Sequence, residues 1–495
     1  MFTDELRRNV WDRIRQQDLR AFTDRLSPDI FAEAAQRAGV TLGRGPLHLA
    51  NLVWLGLASA LHRGKNFADV LMLVLKLVGD MPAWESSPIA VACRAPRQAA
   101  GRGRRGLHGQ RSKHDPRPTD PRQLSEEAFV QARRRMPAFF WSMVLFLLVE
   151  RFEATHRDLL YWNHFRLLAL DGTGINLPSF KRLREYFGTA ANGKSVGKTQ
   201  ARLVLLQFPL VRMPWKYALS PLSQGERTLA AGLLADLRPN DLVLIDRGFW
   251  SYGLFWQIQE QRAFFAIRLV KGVRLKTLGR WGPGDRLVRW TPTDRRWRAA
   301  KLPESITLRA IDYTVPGFRS STLVTSVTNR TAISRHQWVG LATRSPAGRT
   351  LEPGLYHRRW EVETTFMELK VRQGLEGGLR SRTPEGIAYE VAGHVLLYLL
   401  VRWLIVEAAV KSGQEPLRLS FLSALRELLD MSQTLLTASP QRASCTLVPR
   451  LLVRIAEHQV PLRPGRHYPR PGDSKVRNKG KGKHRLPSKL GVKQA

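Results

Sequence analysis

Cysteine is nearly absent. Two residues, Cys93 and Cys445, in a chain of 495 supply neither a disulfide framework nor thiols at zinc-ligand spacing, which argues for a reducing compartment. Acidic residues are scarce as well: 41 Asp and Glu stand against 79 Lys and Arg, a net charge of +38. A compact chain this basic repels itself and needs a polyanion as its normal partner, nucleic acid first and an anionic membrane second. Charge alone does not separate DNA from RNA. A neutral-sugar hydrolase working through two carboxylates would gain nothing from it. Long uncharged apolar runs are missing too. The most apolar stretch, 391–410, contains His394, Arg402 and Glu407, so it reads as a buried helix rather than a membrane span, because charges near a bilayer centre are costly. Met1-Phe2-Thr3-Asp4-Glu5 lacks a basic region followed by an apolar core, so no signal peptide is expected.

What is present changes texture along the chain. Residues 1–93 read as a helical region, with apolar residues at helical spacing over 46–61 and 67–78. Residues 94–123 are dense in Arg, Gly, Pro and Gln and include Gly101-Arg102-Gly103-Arg104-Arg105-Gly106. Such a stretch cannot bury enough surface to offset its ordering entropy, and it reads as a basic flexible linker, either a spacer or a phosphate-tracking arm. Residues 124–164 read as connecting helices. One begins after Ser125, an N-cap followed by Glu126 and Glu127, and is expected to run through Arg133, Arg134 and Arg135 towards Phe139 and Trp141. From 165 to 269 the pattern is α/β, with strands expected at 166–170, 202–208, 242–245 and 264–269 and a helix over 225–237. Residues 270–340 read as a β-rich insertion, 341–430 as the second part of the core with C-terminal helices (helical from 354 to about 429), and 463–495 as a basic disordered tail.

Two acids directly follow apolar strands. Leu167-Leu168-Ala169-Leu170 leads into Asp171-Gly172-Thr173, and Leu242-Val243-Leu244-Ile245 leads into Asp246-Arg247-Gly248. A carboxylate at the end of a central strand is held rigidly where an open α/β sheet presents ligands to a metal. Each Asp alone is equally good turn chemistry. A third element is sharper. If 356–370 is a helix, Tyr356, Arg359, Glu363 and Lys370 fall at roughly 0°, −60°, −20° and −40°, while Glu361 and Glu368 project at roughly 140° and 120°. That phasing selects Glu363 over its acidic neighbours. The alternative is a solvated helix with Arg–Glu and Glu–Lys support pairs, its Trp360 and Phe366 facing the core.

Tyr, two residues, Arg, three residues, Glu, six residues, Lys is the signature of the insertion-sequence-four family of bacterial transposases, and Tyr356, Arg359, Glu363 and Lys370 match it at every spacing. Asp171-Gly172-Thr173, Asp246-Arg247-Gly248-Phe249 and Leu379-Arg380-Ser381-Arg382-Thr383 also resemble the family and stand in its order. The resemblance covers about residues 45–410, most strongly 165–400. It implies an α/β fold: an RNase H-like catalytic core with a β-rich insertion, preceded by a helical N-terminal DNA-binding region. It implies that Asp171, Asp246 and Glu363 are catalytic and bind two Mg²⁺ ions, with Mn²⁺ able to substitute. It also implies that Tyr356, Arg359 and Lys370 hold DNA phosphates. One of Trp281, Trp290, Trp297 and Trp338 would stabilise a flipped base. Arg133, Arg134 and Arg135 are further candidates for DNA contact.

The activity expected is cut-and-paste DNA transposition on double-stranded DNA, in the bacterial cytosol, without membrane association and with a homodimer in the DNA complex. A metal-dependent DNA nuclease without strand transfer and a catalytically inactive DNA-binding derivative are the alternatives.

Overall fold

The computed structural model describes residues 20–43, 47–65 and 126–461, together with a few positions between 67 and 74 and without 191–196, 295–296, 298–299, 315–319, 346–347, 353 and 439. The basic linker, Ser125, the basic tail, Cys93 and most of 67–78 lie outside the described residues.

Ten strands make one sheet. They are β1 (Tyr161–Trp162), β2 (Phe165–Asn176), β3 (Gln200–Phe208), β4 (Met213–Pro221), β5 (Asp241–Ile245), β6 (Phe264–Arg268), β7 (Lys276–Gly282), β8 (Asp285–Trp290), β9 (Ile306–Tyr313) and β10 (Ser321–Thr325). Their order is β4-β3-β2-β5-β6-β10-β9-β8-β7, with β1 against β2. β2, β3 and β4 form an antiparallel meander, and β5 and β6 continue parallel to β2. That is the RNase H-like arrangement the resemblance implied. Its central strands carry apolar runs because helices cover both faces: Leu167 to Leu170 and Leu242 to Ile245 are fully buried.

β4 is the strand that the sequence pattern concealed. Pro214 and Pro221 argue against a strand, but β4 ends the sheet, where a missing N–H breaks no ladder. The expected insertion exists, yet it is not a separate β module. β10 pairs with β6 (Leu323 opposite Arg268), so β7 to β10 extend the core sheet and cover an edge that would otherwise be open. A two-stranded hairpin follows, β11 (Leu341–Ser345) and β12 (Gly348–Glu352), where helix had been expected to begin soon after.

The N-terminal helices α1 (Pro28–Arg37) and α2 (Leu49–Leu61) are present as anticipated. The helix expected to continue past Arg135 does not. α3 (Glu126–Arg134) ends, and α4 (Ala138–His156) starts with Pro137 at its N-cap, because proline is poorly tolerated inside a helix but suits an entry turn. α5 (Lys181–Phe187), α6 (Glu226–Leu233), α7 (Tyr252–Glu260) and α8 (Arg335–Val339) decorate the sheet. Further on lie α9 (Glu361–Met367), α10 (Pro384–Ser412), α11 (Phe421–Thr437) and α12 (Val448–Glu457), so helical structure reaches well past 430.

α10 organises the helical layer. By length and composition it could cross a membrane, but 94% of its most apolar window is buried inside the fold. α2 crosses it so closely that a Cβ on Gly393 would lie 2.6 Å from the Gly56 carbonyl oxygen. The Tyr389 hydroxyl, on α10, donates to the Leu52 carbonyl. α1, α2, α4, α11 and α12 therefore share one continuous apolar core with the sheet.

Candidate active site

Parallel pairing brings the first two acids together. The last paired residues of β2 and β5 are Leu170 and Ile245, and Ile245 is opposite Ile267 of β6. Asp171, Asp246 and Arg268 therefore follow in one row across three neighbouring strands. Asp171 differs from the expected strand-end position in one respect: β2 continues through it to Asn176 by pairing with β3. Its Oδ1 accepts from the Gly172 N–H at 2.8 Å, and Asp246 Oδ2 accepts from the Gly248 N–H at 3.3 Å. Both carboxylates are thus oriented by local backbone.

The third acid arrives on a rod that is not a uniform α-helix. A 3₁₀ segment (Leu355–Trp360) passes into α9 and then into a π-helical turn (Glu368–Arg372). Sidedness nonetheless follows the helical phasing. Arg359, Glu363 and Lys370 turn towards β2 and β5, while Glu361 and Glu368 turn away to Arg212, at 2.7 and 3.1 Å. Glu368 is further bound to Arg402 and to the Tyr398 hydroxyl, the latter at 2.7 Å. These three fix the back of the rod to α10, and Arg402 and Arg212 hold the Glu368 carboxyl below its usual range despite burial. Phe366 is buried as the core-facing reading required, but Trp360 is 39% exposed.

Arg359 sits at the centre of the acids. Its Nη1 lies 3.4 Å from Asp171 Oδ2 and 3.6 Å from Asp246 Oδ1, and its Nη2 lies 3.3 Å from Glu363 Oε1. Burial pushes the Asp171 carboxyl up to about 6, and Arg359 and the Gly172 N–H only partly offset this. Asp246 is also desolvated, but Arg359, the Gly248 N–H and Arg268 outweigh burial and leave it below the usual carboxylate range. Three carboxylates around one cation are an all-oxygen donor set of the kind a hard divalent metal takes. Among the described residues, no group of three or more Asp, Glu, His or Cys side chains stands close enough to hold a metal ion; the three acids are instead spaced around the Arg359 guanidinium.

The other expected contacts divide. The Tyr356 hydroxyl is buried rather than solvent-facing, donating to the Ile245 carbonyl at 3.0 Å and accepting from the Arg268 N–H at 3.2 Å. It ties the ends of β5 and β6 beside Asp246. Lys370 reaches the Gly174 carbonyl at 2.8 Å and Glu376 at 3.0 Å. Arg133 is drawn inward, stacked over Phe67 and Tyr389 and 3.9 Å from Glu390, which leaves Arg134 and Arg135 as the solvent-facing pair. Trp338 and Trp290 are buried. Trp297 lines a cavity of about 470 Å³ with Trp250, Trp290, Arg227, Arg247 and Arg274, next to the Asp246 loop.

Sequence reasoning missed Arg268, Arg402 and Glu376. Arg268 had a usable signal, since Phe264 to Ile267 leads into it as the run 242–245 leads into Asp246. The other two are set by tertiary packing alone.

A family model described as a transposase DDE domain matches residues 162–400. The chain is 28% identical over 320 residues to the transposase InsG for insertion sequence element IS4 of Escherichia coli (strain K12), covering 63% of this chain and 68% of that one. It is also 29% identical over 145 residues to the putative transposase InsZ of the same organism, spanning 28% of this chain and 47% of that relative. A cryo-EM structure of the piggyBac transposase synaptic complex with hairpin DNA aligns over 71% of each chain at 11% identity and a TM-score of 0.34.

Proposed function

Since this chain belongs to the DDE transposases of the insertion-sequence-four type, we propose that it excises and rejoins its element by cut-and-paste, with Asp171, Asp246 and Glu363 as the catalytic carboxylates. The family's divalent-metal dependence is met here by two Mg²⁺ ions, for which Mn²⁺ substitutes. The observation that carries this reading is the convergence of all three acids on one guanidinium, from β2, β5 and α9.

Held by Asp171, Asp246 and Glu363, divalent cations would supply the charge that activates an attacking oxygen and stabilises a leaving one in phosphoryl transfer. The chain's own groups do the positioning. The Gly172 and Gly248 amides fix the carboxylate rotamers, and Tyr356 clamps the strand ends that carry Asp246 and Arg268. Tyr356 thus supports the site rather than touching phosphate itself. Arg359 supplies a fork for a phosphate and Lys370 a point charge. Of the tryptophans, Trp297 is the base-stacking candidate: it lines a basic aromatic cavity beside Asp246, whereas Trp338 is sealed in the core. Double-stranded transposon ends and target DNA are the substrates, a homodimer assembles on the DNA, and the reaction takes place in the bacterial cytosol away from the membrane.

The test is incubation of the protein with Mg²⁺ and a DNA carrying the element's own ends. Joined products support cut-and-paste transposition. Cut ends alone would make it a nuclease, and shifted but uncut DNA a binding protein.

A further inference from the structure

Arg359 differs from two other buried arginines of this protein, Arg166 and Arg309. Arg166 grips Asp241 with two bonds of 2.7 and 2.8 Å, and Arg309 grips Asp285 with two of 2.9 and 2.7 Å. Those are forked pairs at charge-assisted distance, the geometry of fixed structural links. Arg359, 1% exposed, makes no such fork. Its two terminal nitrogens are spread over three carboxylates at 3.3, 3.4 and 3.6 Å, each longer than a good charged hydrogen bond, and its Nε is buried with no partner. A buried donor without an acceptor is costly, so this arginine is held less firmly than the forked pairs.

Resting on the reading of these acids as the metal triad, we propose that Arg359 is the resident counter-ion of the three acids, and that its guanidinium withdraws when a divalent cation takes Asp171, Asp246 and Glu363. A metal ion and a guanidinium cannot both occupy the space between three oxygens. A divalent cation held by the three carboxylates would set two positive centres side by side. An exit lies alongside. The Arg359 guanidinium carbon is 5.1 Å from the ring centroid of Trp360, a residue 39% exposed, so the side chain can slide over that ring to the surface. Withdrawal then delivers the arginine to where a DNA phosphate lies. The same residue keeps mutually repelling acids together before loading and is released to hold substrate only afterwards.

The experiment is calorimetric titration of the full-length, DNA-free protein with Mn²⁺, comparing wild type, R359Q, R359K and E363Q. R359Q is expected to bind Mn²⁺ at least about tenfold more tightly than wild type, the scale on which one unit charge acts over about 4–6 Å, with R359K between them and E363Q weaker. Equal or weaker binding by R359Q, with E363Q still impaired, overturns the counter-ion role and leaves the metal triad standing. If E363Q binds like wild type, the triad reading fails as well. Should R359Q not fold, phenylglyoxal labelling of the wild type decides. Arg359 is expected to be protected without ion and labelled several-fold faster with Mn²⁺, and an unchanged or slower rate overturns the proposal.

Discussion

Glu363 and Glu368 lie on the same rod and do opposite work. Glu363 faces Arg359 and the two aspartates, whereas Glu368 is locked to Arg402, Arg212 and Tyr398 behind it. Glu363→Gln is expected to leave the midpoint of denaturant unfolding and DNA affinity near wild type while abolishing cleavage on a gel. Glu368→Gln leaves Arg402 buried without its counter-charge, and its unfolding free energy should fall by about 3–5 kcal/mol. The reverse pattern would mean that the helical phasing is wrong. Among the basic residues, charge reversal of Arg134 and Arg135 should weaken binding to all DNA sequences and flatten its salt dependence. Arg133→Glu, by contrast, should lower the melting temperature, since Arg133 packs on Phe67 and Tyr389 beside Glu390. Residue identity was legible here because four spaced residues pick out one helical face. Burial was not, so Tyr356 and Arg133 were read as surface contacts although both are drawn into the structure.

Among the elements, the strands that announce themselves are those buried on both faces. The runs at 167–170 and 242–245 read directly as β2 and β5 because nothing polar interrupts them. β4 was hidden by its prolines, and the sheet-extending role of β7 to β10 was invisible because strand pairing over long sequence separation leaves no local trace. The change from 3₁₀ to α to π helix around Glu363 was equally hidden, as no glycine or proline marks it within 355–372. The α2–α10 crossing gives a test at this scale. Gly393→Val must push the helices apart at Gly56, and the variant should lose about 1–3 kcal/mol in chemical denaturation. Three buried histidines add a pH dependence. Burial holds His48 down to about 4, and His62 and His394 down to about 3. In the unfolded chain they titrate near 6.5, so between roughly 6.5 and 3 the unfolded state binds more protons than the folded one. The melting temperature should therefore hold above pH 6.5 and fall as pH drops below it, and His394→Gln should reduce that slope.

At the scale of the whole molecule, a net charge of +38 surrounds a site built from three acids. The surface charge would attract DNA without regard to sequence, and on the proposed reading the carboxylates of β2, β5 and α9 confine the chemistry to one point. The N-terminal helices are packed into the same core as α10, and α10 in turn holds the rod that carries Glu363 through Tyr398 and Arg402. Sequence order alone suggested a helical region followed by a catalytic one, but the shared core makes them a single packed body among the described residues. The claim under all of this is that Asp171, Asp246 and Glu363 hold divalent ions in common. Anomalous diffraction from crystals of the protein soaked in Mn²⁺ tests it most directly. The account predicts manganese peaks about 2.2 Å from oxygens of these three side chains, and peaks confined to other sites, with Arg359 still between the acids, would contradict it.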